Sequence, residues 1–258
     1  MLTRRSFSSG AACCICPTSV YAQRAQPRRT CFFDAADVAG GKLDGFKALN
    51  FKEPLIEGFE NGLAIILGEM ANLFNVSAAF GFYDDSKEFP NAGADPGLKM
   101  PLPSGGVAAD GTVAIGRNLI DEIKTLPVNF SAALTAICAH EYGHIIQGKC
   151  IFPDKTRMRV LNDLNLRYEP AIELHADFVC GYFAFFRRKE EPGYPAVIQA
   201  QTQSLKGDKG QVVSHGTPDQ RGNAVNSGYL LAKLKGALSQ DEIAVAGLKY
   251  VASDEAWK

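Results

Sequence analysis

Residues 131–147 read SAALTAICAHEYGHIIQ and residues 170–187 read PAIELHADFVCGYFAFFR, and the way these two stretches pair decides the fold. Ala132, Ala133, Ala136, Ile137 and Ala139 make the first a strong helix former, with Asn129 or Ser131 able to cap its start and Gly148 placed to end it. The second opens on Pro170, a favoured first-turn residue, and is expected to continue as a helix to about Lys189. Each carries ionisable groups in apolar company. His140, Glu141 and His144 stand beside Ala139, Ile145 and Ile146, and Glu173, His175 and Asp177 stand beside Ala176, Phe178 and Val179. Burying such groups is costly unless something pairs with them.

Outward from these helices, Leu55, Phe59, Leu63, Ile66, Leu67, Met70 and Phe74 recur at spacings of three and four, which predicts a helix ended by Asn75. Val76–Tyr83 alternates like a strand, Thr112–Ile115 reads as a short strand and Leu119–Ile123 as a short helix. Between them, Asp84–Gly111 carries four prolines and reads as a long loop, of the kind that serves as a lid or stays disordered. Downstream, Thr217-Pro218-Asp219-Gln220 and Ser239-Gln240-Asp241-Glu242 are capping boxes, each predicting a further helix. There are no internal repeats and no linker long enough to separate two domains. The expected class is α+β, mostly helical with a small sheet, in one domain over 23–258.

Composition sets outer bounds. The 258 residues are 46% hydrophobic and 21% charged, ordinary values for a globular chain with a real core. With 27 basic against 28 acidic residues, no basic footprint of a nucleic-acid binder is present. The densest apolar run, Phe178–Phe186, is about half the roughly 18 residues needed to span a bilayer, so no transmembrane segment is expected.

The first 22 residues read as an export signal. Arg4 and Arg5 precede a modestly apolar stretch, and Val20-Tyr21-Ala22 offers small residues for cleavage. Thr3-Arg4-Arg5-Ser6-Phe7 resembles a twin-arginine signal, although Ser8 stands where an apolar residue is usual. A periplasmic or secreted protein is the expectation. Cys13, Cys14 and Cys16 fall inside this segment as small hydrophobes, leaving Cys31, Cys138, Cys150 and Cys180. If the two central helices run antiparallel with Asp177 against His140, positions 138 and 180 fall opposite each other. A Cys138–Cys180 disulfide is then expected, with Cys31–Cys150 as the second pair; two buried free thiols are the other reading.

His140-Glu141-Tyr142-Gly143-His144 is an H-E-x-x-H motif on a helix. Histidines at i and i+4 lie about 40° apart around the helix and one turn apart along it, so both imidazoles can reach one metal ion. Zinc chemistry of this type needs a third protein ligand and an open position. Glu173 is the candidate third ligand, with Asp177, four residues on, orienting His140 through its far nitrogen. His175 is the competing donor, but it sits about 200° around its helix from Glu173. Glu141, next to the first ligand, is placed to serve as the base, and Tyr142 points away and packs.

H-E-x-x-H followed 29 residues later by Glu173-Leu174-His175-Ala176-Asp177 resembles the gluzincin metallopeptidases, the group typified by thermolysin, and is similar in wording to bacterial neutral zinc metallopeptidases. The likeness extends to Ser214-His215-Gly216-Thr217 and Arg221, covers roughly residues 110–235, and departs at His175. It implies an α+β catalytic domain whose edge strand, for which Thr112–Ile115 is the candidate, borders the cleft and aligns an extended peptide. It also implies that His215 stabilises an oxyanion and that Arg221 fixes His215 or a nearby carboxylate. The expected protein is thus a Zn²⁺-dependent hydrolase of peptide or protein substrates. An exported zinc-containing binding protein without proteolytic activity and a zinc amidase are the alternatives.

Overall fold

The computed structural model describes residues 59–85, 87, 90–102, 106–127, 129–164, 168–188 and 215–258. Residues 1–22, expected to be an export signal, and Cys31 lie outside these residues. Helix α1 (Phe59–Phe74) buries Leu63, Ile66, Met70 and Phe74 and stops at Asn75, which takes a left-handed φ of 50°. Strands β1 (Ala78–Tyr83), β2 (Ala92–Asp95) and β3 (Gly111–Gly116) form one sheet, and α2 (Arg117–Thr125) follows directly. Then come α3 (Phe130–Ile146), a π-helical turn (Gln147–Ile151), α4 (Lys155–Asp163) and α5 (Tyr168–Arg187). Beyond the next gap lie α6 (Pro218–Lys235), α7 (Gln240–Val251) and a final 3₁₀ turn (Asp254–Trp257). The architecture is α+β, mostly helical with a three-stranded sheet. No helix among the described residues is long and apolar enough to cross a membrane.

The strand order is β1-β3-β2, with β3 parallel to β1 and antiparallel to β2. Thr112–Ile115 is therefore central, not the edge strand expected of it. All six residues of β3 are buried, as suits a strand covered on both faces and paired on both sides. Among the described residues, the sheet's edges are β1 and β2. Strand β2 lies inside the segment read as a long loop, and it packs against α3. Its Ala-Gly-Ala-Asp sequence has no β-branched or aromatic residue to announce it.

Helix α3 is the centre of the molecule. It is buried on almost every face, starts with Asn129 Oδ1 accepting from Ala132 N at 3.0 Å, and lies between the sheet and α5. A Cβ on Gly143 would stand 2.7 Å from Ala176 Cα, so the hydrogen side chain is what lets α3 and α5 cross this closely. The same device recurs between α5 and α6, the most extensively packed helix pair, where Cβ atoms on Gly181 or Gly228 would run into the opposing backbone. Both capping boxes form as the sequence predicts, at Thr217/Gln220 for α6 and Ser239/Glu242 for α7. Gly148 does not end α3. The chain widens there into the π turn, and the missing side chain makes room for Pro96, which a Cβ would overlap at 2.2 Å.

Cys138 and Cys180 are buried free thiols, which corrects the expected Cys138–Cys180 disulfide. The Cys180 thiol instead donates to the Ala136 carbonyl at 3.4 Å. Burial first, with Glu141 near one and Asp177 near the other, pushes both thiols upward, Cys180 to about 12. The Cys31–Cys150 pairing falls outside the described residues.

Candidate metal centre

The α3–α5 crossing sets Gly143 on Ala176 and thereby lines His140 and His144 up with Glu173 and Asp177. His140 Nε2 lies 3.2 Å from His144 Nε2 and 3.2 Å from Glu173 Oε2, and His144 Nε2 lies 3.7 Å from Glu173 Oε1. A tetrahedral ion with ligand bonds of 2.0–2.1 Å needs its ligand atoms about 3.3 Å apart; the two Nε2 atoms meet that at 3.2 Å, and the two Glu173 oxygens lie 3.2 and 3.7 Å from one or other imidazole. The buried group His140–His144–Glu173 is the one set of three or more such side chains among the described residues that could hold a metal ion.

The hydrogen bonds behind the donors fix what they offer. The Gln147 amide nitrogen donates to the Ile172 carbonyl at 2.7 Å, so Gln147 Oε1 is free to accept. His144 must then donate through Nδ1 to that oxygen at 2.9 Å, which makes Nε2 the acceptor nitrogen, facing His140 Nε2 at 3.2 Å. His140 Nδ1 donates to Asp177 Oδ1 at 2.8 Å, which turns its Nε2 toward Glu173 and His144. Two imidazole Nε2 atoms and a carboxylate thus converge, a donor set that could hold one divalent cation.

The electrostatics agree with that donor set. Burial pushes His144 down to about 4 despite the attraction of Glu173, so the imidazole is neutral near pH 7. Burial alone would raise the Glu173 carboxyl, but the surrounding imidazoles of His144, His140 and His215 hold it well below the usual carboxylate range. Asp177 stays ionised in the same way. Its burial is outweighed by Arg221, whose Nε and Nη2 grip the two carboxylate oxygens at 2.7 and 2.8 Å, and by His140.

His215 precedes α6, where Gly216 at φ 86° turns the chain in the left-handed region that glycine tolerates. The turn leaves His215 buried, with Nε2 3.7 Å from Glu173 Oε2. The structure therefore brings His140, His144, Glu173, Asp177, His215 and Arg221 into one cluster, with Arg221 on Asp177. Glu141 is buried on the same turn of α3 as His140. Tyr142 faces Phe74 with ring centroids 6.5 Å apart, on the packing side of the helix. His175 points away from the metal group: its Nε2 donates to the Ala244 carbonyl of α7 at 3.1 Å and its Nδ1 accepts from Gln147 at 3.1 Å. The sequence reading missed Gln147. Its spacing, three residues after His144, was the available signal, since i and i+3 are neighbours on a helix.

No family model matches the chain, and neither the curated proteins nor the solved structures yield a match.

Proposed function

We propose that this protein is an exported, Zn²⁺-dependent hydrolase that cleaves peptide bonds in peptide or protein substrates. The observation that carries the reading is the buried convergence of two imidazole Nε2 atoms and the Glu173 carboxylate, close enough to share one ion. Two imidazoles and one carboxylate favour zinc or another borderline divalent cation over calcium or magnesium. The H-E-x-x-H wording and the twin-arginine-like leader support the choice of peptide substrate and of export.

In this reading, His140, His144 and Glu173 hold the ion, which would polarise the scissile carbonyl and acidify an attacking water. Glu141 takes the proton of that water and hands it to the departing amine nitrogen. His215, beside Glu173, presents a hydrogen bond to the oxygen that gains charge as the carbonyl is attacked. Asp177, clamped by Arg221, keeps His140 donating through Nδ1, so that the other ring nitrogen faces the ion.

The test uses the purified full chain. Elemental analysis should find stoichiometric zinc, and casein hydrolysis should stop with a chelator and return with added Zn²⁺. Glu141→Gln should keep the zinc and lose about 10²–10⁴-fold in hydrolysis. A Glu141→Gln protein as active as wild type would overturn the assignment of the base, and wild-type protein unable to bind any divalent ion would overturn the metal reading.

A further inference from the structure

We propose that Gln147 and His175 are positioning residues for the metal centre: a three-link relay, Ala244 carbonyl to His175 to Gln147 to His144, dictates which nitrogen His144 turns toward the ion. The inference rests on the metal-binding half of the reading above and not on hydrolysis.

The direction of each link follows from groups that have no choice. The Ala244 carbonyl can only accept, so His175 Nε2 carries its proton there, at 3.1 Å. The neutral His175 ring is then an acceptor at Nδ1, and it faces the Gln147 amide nitrogen at 3.1 Å. That nitrogen also donates to the Ile172 carbonyl, at 2.7 Å. With both amide protons engaged, Gln147 cannot flip without setting its oxygen against two acceptors. Its Oε1 is therefore held as the acceptor for His144 Nδ1–H, and His144 Nε2 is turned toward His140 and Glu173. Gln147, His175 and His144 are all shut off from solvent, so water does not compete for these links.

The relay crosses three elements. Gln147 is the first residue of the π turn, His175 belongs to α5, and Ala244 to α7. A π turn placed immediately after a helix that carries two metal donors re-aims the residue that follows them. The geometry also includes a steric stop. A Cβ on Gly247 of α7 would stand 2.7 Å from His175 Cδ2 and 2.7 Å from Nε2, so a glycine there leaves the imidazole its place. The far end of the chain is in this way wired to one metal ligand.

The experiment titrates chelator-stripped full-length protein with Co²⁺, reading affinity by competition with a chromophoric chelator and ligand geometry by the Co²⁺ d–d bands. Gln147→Met, close in shape but without the acceptor, should bind about 10–100-fold more weakly and with altered bands. His175→Ala should lose less, because Gln147 keeps Ile172. Gly247→Ala should weaken binding while His175 is present and have no further effect in the His175→Ala background, where the clash is gone. Thermal unfolding of the metal-free variants shows that each is folded; a purely structural role would lower that midpoint and leave affinity and bands alone. Wild-type affinity and bands in Gln147→Met, or a Gly247→Ala effect indifferent to His175, would overturn the relay. Failure of the wild-type chain to take up Co²⁺ or Zn²⁺ would instead overturn the metal centre, and the relay with it.

Discussion

Arg221 resolves a charge problem that Asp177 sets. Asp177 is enclosed by apolar helix, and its ionised carboxylate is needed to receive the Nδ1 proton of His140. A two-toothed guanidinium supplies the counter-charge at 2.7 and 2.8 Å. Arg221→Met should therefore cost about 3–5 kcal/mol in a urea denaturation series, because a buried carboxylate is left without its partner. The double variant Asp177→Asn/Arg221→Met should cost clearly less than the two single effects combined, and strict additivity would deny the coupling.

At the scale of elements, the α3–α5 crossing is the device that assembles the centre, and Gly143 is its tightest point. Gly143→Ala would drive a methyl group to 2.7 Å from Ala176 Cα, and the helices must separate to admit it. The expected cost is about 1–3 kcal/mol in unfolding free energy, accompanied by weaker zinc binding as His140 and His144 draw away from Glu173. Calorimetry with and without Zn²⁺ measures both. This crossing is legible in the sequence, because the spacings of His140, His144, Glu173 and Asp177 each demand one helix face, and a shared face demands proximity. The capping boxes at Thr217 and Ser239 were legible for the same kind of local reason. Other features were not. Strand β2 is built from Ala, Gly and Asp and exists because β3 offers it a ladder; α4 buries only Leu161 and shows itself mainly through its Asp154 cap. The π turn at Gln147–Ile151 and the central place of β3 are settled by tertiary partners, which no window of sequence contains.

For the molecule as a whole, buried neutral imidazoles tie folding to pH. Burial lowers both His144 and His175 from 6.5 to about 4, so the unfolded chain binds protons that the folded one refuses. The stability from this source is complete above the unfolded value of 6.5 and is lost as pH falls toward about 4, roughly 3 kcal/mol per imidazole. Metal-free protein should unfold progressively across that window, and His175→Leu should flatten the slope; an unchanged slope would contradict the assignment. Zinc works in the opposite direction. At 100 times its dissociation constant it should raise the unfolding free energy by about 2.7 kcal/mol, read as an upward shift of the melting midpoint. The unbridged thiols of Cys138 and Cys180, sealed inside the core, have a practical outcome of their own. An alkylating reagent can reach them only during the moments when the helices part, whereas Cys150, half-buried, is modified earlier. Mass spectrometric mapping of iodoacetamide adducts over time would thus turn two silent sulfurs into a clock for how often the whole molecule opens.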